Sequence, residues 1–481
     1  MSKFKEISGA TLNYGLGKFI PQIIGFILIP VYTSYLQPED YGLVELATSF
    51  GSFAFILLRL ALPGSVSRFY YDHNEGEELR NYITTIYWTL MIISVAMAGL
   101  IYVVSAFFLD KLVPGLPLWP FVAIVLATGV FATNSEIQKR LIQARKQSRY
   151  SAKLSIAVSL VGISTAVLLV TVFKLGALGI VLASLVGGFV FFIQAQFYLH
   201  KDMGGKFSFK LLIPSFKYSM NMLPAHLSSP FTNLFSRALL AGHMLSAVGF
   251  YSLALRFITP LSMLSSAFNE AYIPLYFEAR KKNDADSKAK LNAALKNIWV
   301  VSQIIFVGAA LFSPSLIEIM TPEKYHSAAL LVPFMAINFP FGIMTSFVSV
   351  EIFYSKKTYW VSIYAFFKFV INISVIYFTM PYLNEYALVL GMITDGIYSS
   401  TFYGIVSRRI HHSGVHFRLL YLIFLISFVF VAAGIWINFN ITNTVQKLAF
   451  SVVLFGIYMA ILWLRKWFVP KSALAVFKKK K

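Results

Sequence analysis

The sequence predicts an all-α polytopic membrane protein of about 14 transmembrane helices, and three observations carry that reading. Windows of about 20 residues, the length that crosses a bilayer core, come up predominantly apolar some fourteen times along the 481 residues. The hydrophobic fraction is 58% and the mean hydropathy +0.70, too apolar for a water-soluble chain of this length, whose surface has to be largely polar. Of 41 Lys and Arg, 31 fall in gaps on one side of the alternating spans, four on the other (Lys111, Lys174, Lys324 and Lys447), and six inside the spans.

The spans follow in order from their boundaries. The first, 10–34, is rich in breakers (Gly15, Gly17, Pro21, Gly25 and Pro30), and the second, 42–66, begins at Glu39 and Asp40, with Asp40 as helix cap. Spans 81–108 and 117–137 lie between Arg80 and Lys139, and spans 152–173 and 176–199 are bounded by Lys153, Lys174 and Lys201. The seventh, 211–241, carries Pro214, Pro224 and Pro230, and the eighth, 246–275, runs into the charged stretch Arg280 to Lys296. Spans 294–320 and 326–353 flank the short gap Thr321 to Tyr325. Spans 358–380 and 384–407 are framed by Lys356, Lys357, Arg408 and Arg409. Spans 418–438 and 445–464 lead to the basic tail Arg465 to Lys481. An even number of helices places both termini on the basic side, the cytoplasm.

Composition removes several function classes. A formal charge of +21 would suit a nucleic-acid binder, but such proteins cluster cations on a soluble face, whereas here they occupy short gaps between apolar spans. With no cysteine there is no disulfide framework, thiol nucleophile or thiolate metal site. Met1 to Ala10 contains no apolar core with a small-residue cleavage site, so the first span is expected to direct insertion. Neither a Walker A run, a Gly-rich dinucleotide fingerprint nor H-E-x-x-H occurs, and no cofactor is implied. Ser287-Lys-Ala-Lys290 lies in a solvated charged run, and His411, His412 and His416 read as a basic loop.

The chain repeats itself. DYGLVELATSF through LALPGSVSRFYY at 40–71 is similar to VGFYSLALRF through AFNEAYIPLYF at 248–277, an offset of about six helices. A repeat of an even number of helices is parallel, about an axis along the membrane normal, with substrate expected between the halves. The expected organisation is a six-helix lobe over 1–200, a second over 201–410, and two added helices with a basic cytoplasmic tail over 411–481.

Charges inside the spans are the candidate site. An intramembrane cation costs at least about 2.5 kcal/mol on insertion scales and faces the bundle interior or a watery cavity. Lys18, Arg59, Arg237, Arg256 and Lys368 come from both expected lobes and, brought together, would hold an anion such as phosphate, which Arg grips in bidentate fashion. The competing readings are a structural pair with a buried acid or snorkelling to the headgroups, the latter favoured for Lys217. Among the acids, Glu45, Glu270 and Asp395 are candidates for ion coupling; Glu351 stands with Glu45 nearer an interface, and each could instead neutralise an arginine.

Specific strings sharpen this. YLQPEDYGLVELATSF at 35–50, SRALLAGHMLSAVGFYSLALRF at 236–257, SAFNEAYIPLYFE at 266–278 and YSKKTYWVSIYAFFKFVINISVIYF at 354–378 occur in an order that resembles the polysaccharide-exporter branch of the multidrug/oligosaccharidyl-lipid/polysaccharide superfamily, the Wzx-type lipid-linked oligosaccharide flippases. The resemblance implies a MATE-like two-lobed bundle in the bacterial inner membrane, alternately open to the cytoplasm and the periplasm. It also implies an undecaprenyl-diphosphate-linked glycan as substrate, membrane lipids and polysaccharide polymerase or export machinery as partners, a monomeric transport unit, and no nucleic acid. Two positions depart from the family pattern: Ser236 replaces an acid before Arg237, and Asn384-Glu385-Tyr386-Ala387 replaces a Gly-rich start of span 12. The rival readings are a MATE-like small-molecule antiporter, disfavoured by a cationic site, and a membrane-embedded glycan polymerase or ligase, for which Glu39 and Asp40 are the external acids.

Overall fold

The structure is a computed structural model that describes residues 2–73, 76–282, 284–357, 359–411 and 417–467. His412, His416 and the tail beyond residue 467 lie outside the described residues. The described chain is helical throughout, with no strand among the described residues. The first eight helices are α1 (Ser2–Ile27), α2 (Ile29–Tyr35), α3 (Pro38–Arg59), α4 (Pro63–Phe69), α5 (Glu77–Leu112), α6 (Ala123–Ala144), α7 (Ser148–Thr171) and α8 (Gly176–Leu199). Then come α9 (Phe209–His243), α10 (Leu245–Lys282), α11 (Ala285–Met320), α12 (Ser327–Ala336) and α13 (Asn338–Tyr354). The last four are α14 (Tyr359–Leu383), α15 (Glu385–Ile410), α16 (Phe417–Asn440) and α17 (Thr444–Leu464).

These segments are compatible with about fourteen passes. Eleven are long and apolar enough to cross a membrane by themselves, and the bent pair α1–α2 makes a twelfth. The other two, α9 and α15, have the length but are too polar: α9 carries Lys217, His226 and Arg237, and α15 carries Asp395. Three expected spans are broken. The first bends by 42° at Leu28, where Pro30 opens α2 and cannot donate to the preceding turn. The second stops at Arg59, because Leu60 and Ala61 take φ of 46° and 56°, and resumes as α4. The tenth divides into α12 and α13 at Ile337. Helices α5, α9, α10 and α11, of 35 to 38 residues, are longer than the roughly 30 Å hydrocarbon core requires, so their ends reach past it.

The chain forms two compact units, Met1–Gly249 and Phe250–Lys481. In the first, α3 is central: Val44, Leu46, Ala47, Phe50 and Ala54 pack against Val122, Val125 and Leu126 around α6 and against Leu234 and Ala238 of α9. Tyr82 joins α4, α5 and α9 through Ser65 and Ser215 at 3.3 and 3.2 Å. Since lipid offers no hydrophobic drive between helices, close packing and such hydrogen bonds hold the bundle. Gly42 of α3 and Gly249 of α10 approach closely. A Cβ on Gly42 would lie 2.2 Å from the Leu245 carbonyl oxygen, and one on Gly249 would lie 2.1 Å from that of Pro38. Both glycines lie in the two similar strings, and their contact is reciprocal.

In the second unit, α16 and α17 are fastened to α11. Trp299 Nε1 donates to the Leu420 carbonyl at 2.9 Å, Ser451 Oγ to that of Leu311 at 3.0 Å, and Lys447 is buried on Glu318, which also accepts from Thr444 Oγ1 at 2.7 Å. Lys447 therefore belongs to the first turn of α17 rather than to a solvated gap.

Gly42→Ala should cost about 1–3 kcal/mol by overpacking, read as a lower thermal midpoint of the purified protein, because the obstacle is backbone that cannot rotate away. Gly64→Ala, where nothing lies within 4 Å, should leave the midpoint unchanged.

Candidate functional site

Each sequence-predicted charge can be placed. Lys18 is exposed on α1, off the packed face marked by buried Gly17, which meets Ala152 of α7. Arg59 is the last residue of α3, directly before the two left-handed residues. Its Nη1 stands 3.9 Å from Glu136 Oε1 of α6, beyond hydrogen-bond reach, and its guanidinium lies over the Phe55 ring at 5.4 Å. Glu136 also accepts from Lys139 at 2.8 Å, so one carboxylate faces two cations. The Arg59 Nε is buried with no hydrogen-bond partner among the described residues.

Arg237 sits half-buried near the end of α9, with Nη1 3.4 Å from the Asn233 carbonyl of its own helix. The preceding Ser236 donates to the Thr232 carbonyl at 2.7 Å and supplies no charge. Arg256 is half-buried on α10, in the second unit.

Lys368 and Asp395 are brought together: Nζ to Oδ2 is 2.9 Å, across α14 and α15. Tyr364 Oη donates to Asp395 Oδ1 at 3.3 Å, and the ammonium lies 5.9 Å from the Tyr364 ring centre. Tyr364 in turn stacks on Tyr398, with centroids 5.5 Å apart and planes within 9°. One turn further along α14, Asn372 donates to the Gly391 carbonyl at 3.0 Å. Tyr364, Lys368 and Asn372 thus form an i, i+4 polar ladder on an otherwise apolar helix, a spacing visible in the sequence once the helix is assumed.

Among the acids, Glu45 is half-buried on α3 and Glu270 is exposed on α10. Glu351, 1% exposed, accepts from Tyr276 Oη at 2.5 Å, Ser355 Oγ at 2.5 Å and Arg280 Nε at 3.2 Å. That carboxylate is saturated, and it bolts α13 to α10. Asp40 closes a helix start: its Oδ2 accepts from the Gln37 backbone N–H at 3.0 Å, in a capping box whose N-cap is Gln37. Glu39 beside it is exposed. Glu136 and Glu318, neither of which stands out in the sequence, are the unforeseen partners; each becomes recognisable only when the fold sets it against a distant cation. Among the described residues no group of three or more His, Asp or Glu is placed to hold a metal.

What the arrangement offers chemically is a set of half-buried cations in two states. Lys368 is closely paired, while Arg59 faces a shared and distant acid and has a buried Nε without a hydrogen-bond partner among the described residues.

Residues 10–280, more than half of the chain, match the family described as polysaccharide biosynthesis protein. No curated protein sequence matches the chain. Among solved structures, it is similar to the lipid II flippase MurJ in an inward closed conformation, at 16% identity and a TM-score of 0.73, covering 94% of this chain and 99% of that one. It is also similar to a multidrug resistance MATE family transporter of the MOP superfamily. The inward-facing form aligns at 13% identity and a TM-score of 0.60, over 83% and 98% of the two chains. The outward-facing form aligns at 12% and 0.51, over 84% and 95%.

Lys368→Met and Asp395→Leu should each lower the thermal midpoint, and the exchange of both charges, Lys368→Asp with Asp395→Lys, should recover it. A double-mutant cycle on purified protein should give a coupling of about 0.5–3 kcal/mol.

Proposed function

Because the chain belongs to the polysaccharide biosynthesis protein family and is a multi-pass membrane protein with the fold of MOP-superfamily transporters, we propose that it is a flippase for a lipid-linked oligosaccharide. The cargo is an undecaprenyl-diphosphate-linked repeat unit, of the kind used for O-antigen, capsule or exopolysaccharide. It moves from the cytoplasmic to the periplasmic leaflet of the bacterial inner membrane by alternating access, with both termini cytoplasmic. The observation that supports this reading is the presence of half-buried arginines inside apolar helices, Arg59, Arg237 and Arg256, whose guanidinium groups suit an anionic cargo. A diphosphate cannot cross hydrocarbon unaided, and guanidinium donors in a water-filled cavity replace its hydration.

In this scheme Arg59, Arg237 and Arg256 meet the diphosphate or acidic sugars, Lys18 extends the cationic path, and Lys368 joins when its pair opens. Opening of the Lys368–Asp395 pair would hand the ammonium to the cargo, which gives Asp395 a coupling role. Glu45 and Glu270 are the further coupling candidates. The helix-start geometry of Asp40 supports transport over polymerase or ligase chemistry, and a cationic site disfavours organic-cation antiport.

Arg256→Ala should abolish surface glycan while the protein stays in the membrane at wild-type level, and Arg256→Lys should restore only part of it, since an ammonium lacks the bidentate fork. Normal surface glycan in Arg256→Ala, measured by glycan staining beside an immunoblot of membranes, contradicts the assignment.

A further inference from the structure

The first unit holds a cavity of about 390 Å³ that the intramembrane charges do not touch. Tyr70, Tyr71, His73, Leu79, Arg145 and Lys146 line it, at the ends of α4 and α6 and the start of α5. Tyr71 Oη donates to the Ala144 carbonyl at 2.7 Å and closes one side, while Leu79 supplies an apolar wall. The cavity lies at the basic gap that holds Arg145, Lys146 and Arg149.

Arg145 and Lys146 bring two cations to the cavity, where Asp202 pairs with Arg145 and the lining His73 lies 3.1 Å from Glu78. Arg145 donates to Asp202 Oδ1 at 2.5 Å and to Tyr198 Oη at 3.4 Å. Burial works against its charge, but the bonds to Asp202, Tyr70 and Tyr198 outweigh burial and hold it above the ordinary arginine value. Lys146 is exposed and makes no ion pair among the described residues. Its φ is +56°, just past the end of α6, where glycine is the usual residue. Lys356 and Lys466 take the same conformation past the ends of α13 and α17, so what sets Lys146 apart is the cavity beside it.

We propose that this cavity holds the phosphate of an anionic lipid in the leaflet on the basic side, with Lys146 and Arg145 on the phosphate and Tyr70, Tyr71 and Leu79 along the neck of the lipid. Basic pockets at the cytoplasmic ends of membrane helices take such headgroups. The proposal shares with the preceding section only the orientation of the chain, and it needs no transport. A glycerophospholipid and a polyprenyl phosphate present the same chemistry.

The test uses full-length protein, delipidated and equilibrated with micelles containing phosphatidylglycerol or phosphatidylcholine, with retained lipid read by native mass spectrometry. Wild type should retain phosphatidylglycerol about fivefold over phosphatidylcholine, the scale of one lysine beside an anionic surface. Lys146→Gln and Lys146→Gly should lose that preference, and Lys146→Arg should keep it. Lys146→Gly also relieves the positive φ, so its loss of lipid cannot be ascribed to misfolding. Equal retention of both lipids by wild type, or an undiminished preference in Lys146→Gly, overturns the proposal. Undecaprenyl phosphate as competitor assigns the source: Lys146-dependent displacement identifies the carrier lipid as occupant, and its absence identifies the phospholipid, both in keeping with a phosphate site. A flipping defect alone would leave every one of these readings unchanged.

Discussion

A charge placed inside hydrocarbon has to be answered, and that requirement organises much of this molecule. Four acids answer cations across helices: Glu136 toward Arg59, Glu351 with Arg280, Glu318 with Lys447 and Asp395 with Lys368. Each ties two helices that apolar packing alone would leave free to slide, since lipid tails compete with leucine for leucine. The pairs differ in how completely they are closed. Glu351 is saturated by three donors and Lys447 is almost fully buried on Glu318, so these are bolts. Glu136 is shared between two cations, and Lys368 remains partly exposed, so these are places where a competing anion or proton gains access.

The same requirement explains why α9 and α15 fall short of membrane-spanning hydropathy while belonging to the bundle. They carry Arg237 and Asp395, and a helix that bears its charge toward protein or water needs less apolar surface of its own. The break after Arg59 belongs to this pattern too. Two non-glycine residues in the left-handed region follow a half-buried cation, and strain of that kind persists where the surroundings fix a side chain in place.

Hydropathy made the passes legible because the solvent is lipid, and a stretch of apolar residues has few other uses. Pro30 marked the bend that occurs at Leu28, but nothing in Leu60 or Ala61 announces a stop, since neither residue favours positive φ. The site was legible as a list of charges and not as a geometry. Lys368 and Asp395 were each visible, yet their pairing depends on the register of α14 on α15. The partners of Arg280 and Lys447 lie 71 and 129 residues away, a separation only packing bridges. The glycines at 42 and 249 were visible as parts of two similar strings, and their mutual contact needed the fold.

The central claim, that a lipid-linked glycan crosses the membrane through this protein, is tested most directly by locating that lipid in cells depleted of it. A glycan-labelling reagent confined to the periplasm, used beside total lipid extraction, separates the leaflets. Accumulation of the undecaprenyl-diphosphate-linked unit out of the reagent's reach is the result expected of a lost flippase. Unpolymerised units fully labelled in the periplasm would contradict flipping and point to a polymerase or ligase step.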